Sequence, residues 1–299
     1  MGSTKSTKNI LALGFFDGIH IGHAKLIERA KERAAQLDAR PAMLTFDSHP
    51  DTYVRGERVE LISSAADRVY IINKYFGVDD VYFLHFNAEV MRMSWRDFLD
   101  DVLATYSAAG FVVGHDFTFG FKGEGNAEKL ALYAAEKGLS CDVIPAVTLD
   151  GITVSSTYIR SLLFSGEIER ANRFLGHPYL LTDTVRTGKR IGRKMDAPTV
   201  NMLIGEGVLV PRHGVYASRA VLPDGQERAA VTNIGVRPTF GGGRVTAETN
   251  ILNFDADLYG QRLCVQLYSF LRPERRFATP AELMTQIHAD ARQAEAYFG

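Results

Sequence analysis

Two histidines three residues apart, His20 and His23, close the run Gly-Phe-Phe-Asp-Gly-Ile-His-Ile-Gly-His at 14–23. A bare HxGH is weak, since at this chain's His and Gly frequencies it arises by chance in roughly one chain in fifty. Its position gives it meaning. Gly18 and Gly22 let the backbone approach a ligand closely. The imidazoles stand at the start of a helical pattern, where the dipole and unpaired amides favour phosphate. Elsewhere the same residues would be two surface histidines on a loop. A second polar cluster, Ser-Ser-Thr-Tyr-Ile-Arg at 155–160, lies between a strand and a helix. Ser155, Ser156 and Thr157 suit helix caps, and Arg160 one turn in makes a clamp for phosphate oxygens. Two anion sites on one α/β unit point to a nucleotide whose triphosphate lies between them. Thr-Phe-Asp-Ser-His-Pro at 45–50 again follows a strand, and also reads as a turn nucleated by Asp47 and Ser48. Further on, Gly188 and Gly192 punctuate four cations, Lys189, Arg190, Arg193 and Lys194. Such a loop can wrap phosphates, although a basic surface turn has the same composition.

These residues need elements to carry them. Strands are expected at Ile10–Leu13, Ala42–Phe46, Asp80–Leu84, Phe111–Gly114 and Cys141–Ile144. Between them helices are expected over Ala24–Leu37, from Ser64 through Phe76, over Ser94–Tyr106, and from an Asn126 cap to Lys137. That alternation is an α/β, Rossmann-like parallel sheet with helices on both faces, whose ligands sit beyond the carboxyl ends of the strands. Two short helical segments follow Ser156 and end near His177. From about residue 183 the period changes to two. Gly214–Val221, Arg228–Gly235, Glu248–Phe254 and Arg262–Leu271 read as a small antiparallel β-barrel closed by a C-terminal helix from Pro280. Periodicity alone would turn Glu248 outward on its strand. The expected division is 1–181 and 182–299.

The 299 residues include 34 Lys and Arg against 35 Asp and Glu, a formal net charge of −1. That balance argues against a global grip on nucleic acid or an anionic membrane and leaves room for a local phosphate pocket. Cys141 and Cys264 are the two cysteines; far apart and in no CxxC pair, they suit a reducing compartment. The apolar run at 10–16 ends at Asp17 without a small-residue cleavage site, and no apolar run reaches the roughly 20 residues that span a bilayer. The expectation is a soluble, cytoplasmic protein of undetermined oligomeric state.

The segments GxFDGxHxGH, TFDxHP, Gly-His-Asp-Phe-Thr-Phe-Gly at 114–120 and SSTxIR, in this order and spacing, resemble the bacterial bifunctional riboflavin kinases/FMN adenylyltransferases, the prokaryotic FAD synthetases. Pro-Thr-Val-Asn at 198–201, Val-Thr-Asn-Ile-Gly-Val-Arg-Pro-Thr-Phe at 231–240 and Asp-Leu-Tyr-Gly at 257–260 match the kinase module of that family. The resemblance implies riboflavin, FMN, FAD and ATP as ligands, Mg²⁺ as cofactor, and an HxGH nucleotidyltransferase domain followed by a kinase barrel. Carried over residue by residue, Gly14, Phe15, Asp17, His20, Gly22 and His23 would meet ATP, and Ser156, Thr157 and Arg160 would hold its triphosphate from the other side. His49, Pro50, Asp116 and Phe117 would border the flavin. In the kinase module Gly188, Arg193 and Lys194 would bind ATP, Arg237 the flavin, and Thr199 and Asn201 the metal, with Glu248 as base for the riboflavin 5′-hydroxyl. Four positions depart from the family: Phe16 replaces a usual Asn, Asp196 and Ala197 a Gly and an aromatic, and Asn250 a common His. They keep two further readings open, an adenylyltransferase with a weakened kinase and a flavin-binding regulator without turnover.

Overall fold

A computed structural model describes residues 8–48, 52, 56, 59–186, 199–236 and 245–299. By contacts the chain forms two compact units, one of residues 1–61 and 68–155, the other of 62–67 and 156–299.

The first unit begins with β1 (Asn9–Leu13), α1 (Ile21–Gln36) and β2 (Arg40–Phe46). After α2 (Ala65–Ile71), which starts in the other unit's segment and runs into a π-helical turn at Ile72–Phe76, come β3 (Asp80–Leu84), α3 (Ala88–Arg92), α4 (Trp95–Tyr106) and β4 (Ala108–Gly114). A short hairpin, β5 (Thr118–Phe119) and β6 (Gly125–Asn126), then leads into α5 (Ala127–Lys137) and β7 (Ser140–Ile144). A second hairpin, β8 (Thr148–Leu149) and β9 (Ile152–Thr153), ends the unit. The sheet order is β3-β2-β1-β4-β7 and every pairing is parallel. Strand alternation divides the core. Leu11, Leu13, Ala42, Leu44, Phe111 and Val113 face α4 and α5, while α1 packs on the opposite face. The face of α1 expected from sequence, Leu26, Ile27, Ala30 and Ala34, is the buried one. Arg29 and Arg33 fix that helix over β7 by gripping Asp142 at 2.7–2.8 Å. Although burial opposes it, the Arg33 hydrogen bonds above all hold the Asp142 carboxyl below its usual pKa.

The second unit contains α6 (Ser156–Ser165), α7 (Ile168–Leu175), β10 (Tyr179–Thr184), β11 (Thr199–Leu203), β12 (Gly214–Val221), β13 (Glu227–Val236), β14 (Val245–Ile251), β15 (Arg262–Arg272) and α8 (Pro280–Phe298). Its antiparallel sheet runs β10-β15-β12-β13-β14-β11. Among the described residues the two edge strands meet through one bridge between Arg186 and Asn201, with Arg186 N–H donating to the Asn201 carbonyl at 2.9 Å. This is the expected small barrel, only just closed. Ala291, Ala294 and Phe298 of α8 cover Ala217, Ala229 and Val231 on one of its faces. The buried carboxylate of Asp290 anchors α8 to Arg272 through a fork of bonds at 2.7–3.2 Å. Strands β10 and β11 were not legible from period alone, and β14 begins three residues before the expected Glu248.

Candidate functional site

In the first unit the chain builds β1, β2 and β3 outward on one side of the sheet, then crosses to β4 on the other. The β1–β4 boundary is therefore the switch point at which open α/β sheets bind ligands. After β1, Phe16 (φ 55°), Gly18 (φ 78°) and Ile19 (φ 44°) take left-handed backbone, curling the loop into one tight turn at Asp17–Ile19. His20 then caps α1, its Nδ1 accepting the His23 backbone N–H at 3.2 Å. A ring nitrogen that accepts carries no proton, so neutral His20 holds its proton at Nε2, where it is a donor. The helix starts at Ile21, not the expected Ala24, because this imidazole supplies the cap; His23 thus belongs to the first turn. The two imidazoles stack with centroids 3.6 Å apart and 11° between planes, and Phe16 meets His23 edge-on at 5.1 Å. Gly22 permits the stack, since a Cβ there would lie 3.1 Å from the His20 ring. Burial first, and then nearby His20, push the His23 pKa well below its ordinary value. The ring is neutral at pH 7, and its Nδ1 is buried without a hydrogen-bond partner among the described residues.

The rest of this loop is set by close packing. Gly14 leaves room for the Phe16 ring, which would sit 3.1 Å from a Cβ. Asp17 is buried. The Phe15 carbonyl accepts from Thr45 Oγ1 at 2.7 Å, which ties the β1 loop to the end of β2. Beyond β2, Asp47 accepts from His85 Nδ1 at 2.5 Å and from Ser48 Oγ at 3.0 Å. Burial alone would raise its pKa; these bonds and the Phe86 amide hold it below the usual value. At the end of β4 Asp116 is exposed, and Phe117 stacks on Phe119 with centroids 5.5 Å apart. Ser156 and Thr157 open α6 and Arg160 lies one turn in; the helix packs on α7 through Tyr158 and Phe174. The two anion clusters read from the sequence thus fall in different compact units. α6 packs with α7, and α7 with the barrel strand β15.

In the second unit strand pairing assembles the kinase candidates. Asn201 on β11 stands opposite Glu248 on β14, and Thr199 opposite Asn250. Asn233 on β13 faces Glu248 from the other side. Alternation puts all five on one sheet face, the face whose β13 continuation Val231 and Ala229 lies under α8. Glu248 and Asn201 are both buried, contrary to the outward position that periodicity alone gave Glu248. Thr246, Ala247, Glu248 and Thr249 are all buried, so both faces of β14 are covered along this stretch. On the opposite face Ser218, Thr232 and Thr249 form a buried chain of hydroxyls at 2.8–2.9 Å. Thr199 also lines a crevice with Asp255, Asp257 and Tyr259 of the 254–259 segment. Asn233 joins the cluster only through register, although it stands in the quoted 231–240 run. His49, Pro50, Gly188, Lys189, Arg190, Arg193, Lys194, Asp196, Ala197 and Arg237 lie outside the described residues.

A parallel sheet with a histidine capping a helix at its switch point and a second stacked on it, joined to an antiparallel barrel with a buried carboxylate among amides and hydroxyls, defines a two-module nucleotide-using transferase. The FAD synthetase family model matches residues 3–158 and the riboflavin kinase family model residues 175–298. The chain is 34% identical to a bifunctional riboflavin kinase/FMN adenylyltransferase of Listeria monocytogenes, covering 97% of this chain and 92% of that protein. It is 33% identical to the one of Bacillus subtilis, over 98% and 94%. A crystal structure described as a macrolide-efflux protein from Streptococcus pneumoniae superposes with a TM-score of 0.82 at 26% identity, covering 98% of this chain and 95% of that one. The chain belongs to the bifunctional riboflavin kinase/FMN adenylyltransferase family. Among the described residues no helix is long and apolar enough to cross a membrane.

Proposed function

We propose that this chain phosphorylates riboflavin to FMN and adenylylates FMN to FAD, consuming one ATP in each step. The observation that carries this reading is that one chain holds two separate phosphate-handling constellations: the His20-capped helix α1, and Glu248 in register with Asn201. For adenylylation, an FMN phosphate oxygen attacks the α-phosphorus of ATP and pyrophosphate leaves. His20 donates from Nε2, and His23 and the α1 amides receive phosphate charge, in the loop shaped by Gly14, Phe15, Asp17 and Gly22. Ser156, Thr157 and Arg160 are assigned to the triphosphate, and His49, Pro50, Asp116 and Phe117 to the flavin. No nucleophilic side chain is required, because such transfers depend on positioning and charge neutralisation.

For phosphorylation, the Glu248 carboxylate accepts the riboflavin 5′-hydroxyl proton as that oxygen attacks the γ-phosphorus and ADP leaves. Gly188, Arg193 and Lys194 are assigned to ATP and Arg237 to the flavin. Among the described residues no group of three or more His, Cys, Asp and Glu converges on a metal site. The donors that fit Mg²⁺ are the hard oxygens of Thr199 and Asn201, which leave its other positions to phosphates and water. Mg²⁺ bound there would neutralise phosphate charge. By activity, residues 1–181 form the adenylyltransferase and 182–299 the kinase, and the cell compartment is the cytoplasm, in keeping with Cys141 and Cys264 as unbridged thiols.

Asn250 opposite Thr199 favours a second reading, an adenylyltransferase with a weakened kinase. Chromatography of the products from riboflavin, or from FMN, incubated with ATP and Mg²⁺ separates the two. FMN and FAD from riboflavin support the bifunctional reading. FAD from FMN without FMN from riboflavin supports the second. No turnover of either flavin leaves a binding protein and sinks both.

A further inference from the structure

Arg68, the fourth residue of α2, has a side chain with no solvent exposure. Its Nη1 donates to the Phe15 carbonyl at 3.0 Å, to Thr45 Oγ1 at 2.7 Å and to the Phe46 carbonyl at 3.0 Å. Three acceptors from the β1 and β2 loops thus converge on one nitrogen, and the Thr45 hydroxyl closes the triangle by donating to Phe15. The guanidinium lies over the Phe15 ring at 5.0 Å and the Phe83 ring at 5.2 Å. Its Nε and Nη2 are buried and make no hydrogen bond among the described residues. Burial lowers its pKa to about 10, with Asp17 and Asp47 opposing the shift, so the group stays charged at pH 7. Packing alone does not account for such a residue. A buried cation with two idle donors is costly, and an apolar side chain of similar volume is often the more stable filler.

We propose that Arg68 is a positioning residue for adenylyl transfer, holding the β1 loop that ends in His20 and the β2 loop that leads into His49 and Pro50 at a fixed separation through Nη1. The inference rests on the adenylyltransferase reading above. Transfer between two bound nucleotides needs the attacking oxygen and the α-phosphorus in near-attack geometry. A displacement of about 1 Å from a residue outside the chemistry can lower the rate by about 10²-fold.

The test uses the full chain with Arg68→Met, which keeps length without donors, and Arg68→Lys, whose ammonium offers three donors to the same three acceptors. The kcat and KM for FAD formation from FMN are measured beside riboflavin phosphorylation and thermal unfolding of the same samples. Arg68→Met should lower kcat for FAD formation by about 10–100-fold with phosphorylation unchanged, and Arg68→Lys should recover most of that loss. Full adenylylation by folded Arg68→Met overturns the inference. So does a parallel fall of both activities with the folded fraction, or a loss that Lys does not reduce. Should Arg68→Met not fold, Thr45→Val decides: a kcat at least about threefold lower supports the coupling and an unchanged kcat overturns it. A parent protein that makes no FAD overturns the underlying reading and this inference together, whereas a fully active variant of an active parent overturns the inference alone.

Discussion

The stacked His20–His23 pair presents neutral rings, so its hold on phosphate comes from directed donors and the helix terminus, not from a fixed charge. Removing the inner ring should undo the stack and leave the barrel untouched. His23→Ala is expected to remove most FAD formation while riboflavin phosphorylation stays near the parent rate, measured on one preparation. The same ring makes stability pH-dependent. Its folded pKa lies below the unfolded value of about 6.5, so the unfolded chain binds the extra proton first. The contribution is complete above about pH 6.5 and is lost as pH falls below it. Melting of the parent should therefore drop between pH 7 and pH 5.5 more steeply than melting of His23→Ala; equal slopes would mean that His23 takes up its proton equally in the folded and unfolded chains. Glu248→Gln keeps shape and removes the proton acceptor. Riboflavin phosphorylation should fall by roughly 10²–10⁴-fold, with adenylylation of supplied FMN unchanged. A kinase rate within a few-fold of the parent would remove Glu248 as base.

Among the elements, those whose period and caps agree were legible before the structure. Ser94 receives the Asp97 amide at the start of α4, and Asn126 the Lys129 amide at the start of α5. Gly138 ends α5 in the left-handed region. What sequence did not give is what depends on partners far along the chain. The register that joins Asn201, Glu248 and Asn233 is set between strands, and the short β11 follows a cationic stretch with no alternation of its own. Arg68, one residue past the box in which Ser64 and Asp67 exchange side-chain and backbone hydrogen bonds, gave no sign of full burial. Phe16 is a position where two levels conflict. Its φ of 55° suits Asn better than an aromatic, yet its ring is wholly buried against Gly14 and His23. Relief of left-handed strain is worth about 1–2 kcal/mol, whereas deleting a buried Phe ring costs about 3–5 kcal/mol. Packing should win: Phe16→Asn is expected to lower the melting temperature by roughly 4–8 °C, from about 2 kcal/mol. A higher melting temperature by calorimetry would show that strain dominates at this turn.

At the scale of the whole molecule, the division expected from the change of period, 181/182, and the compact units differ by the two helices that precede the barrel. Asn172 of α7 donates to the Leu267 carbonyl of β15 at 2.8 Å and accepts the Tyr179 amide at 2.7 Å. The Leu163 carbonyl of α6 accepts the Arg212 amide at 3.0 Å. Ile168, Ala171, Phe174 and Leu175 are all buried on α7. A chain that starts at Thr182 loses these apolar side chains and the first half of β10, whose Leu180 and Leu181 pair with Gln266 and Val265. It exposes β15 along the length those groups covered, at a loss of about 1.5–3 kcal/mol for each large side chain no longer buried. A fragment of residues 156–299 should therefore unfold in one cooperative transition and phosphorylate riboflavin as the full chain does. A fragment of 182–299 should melt at least about 10 °C lower or show no transition, because the lost burial rivals the whole stability of a small domain. Circular dichroism melts of the two fragments at equal concentration make the comparison. Coincident transitions would mean that α6 and α7 add nothing to the barrel, and that the folding boundary lies where the change of period put it.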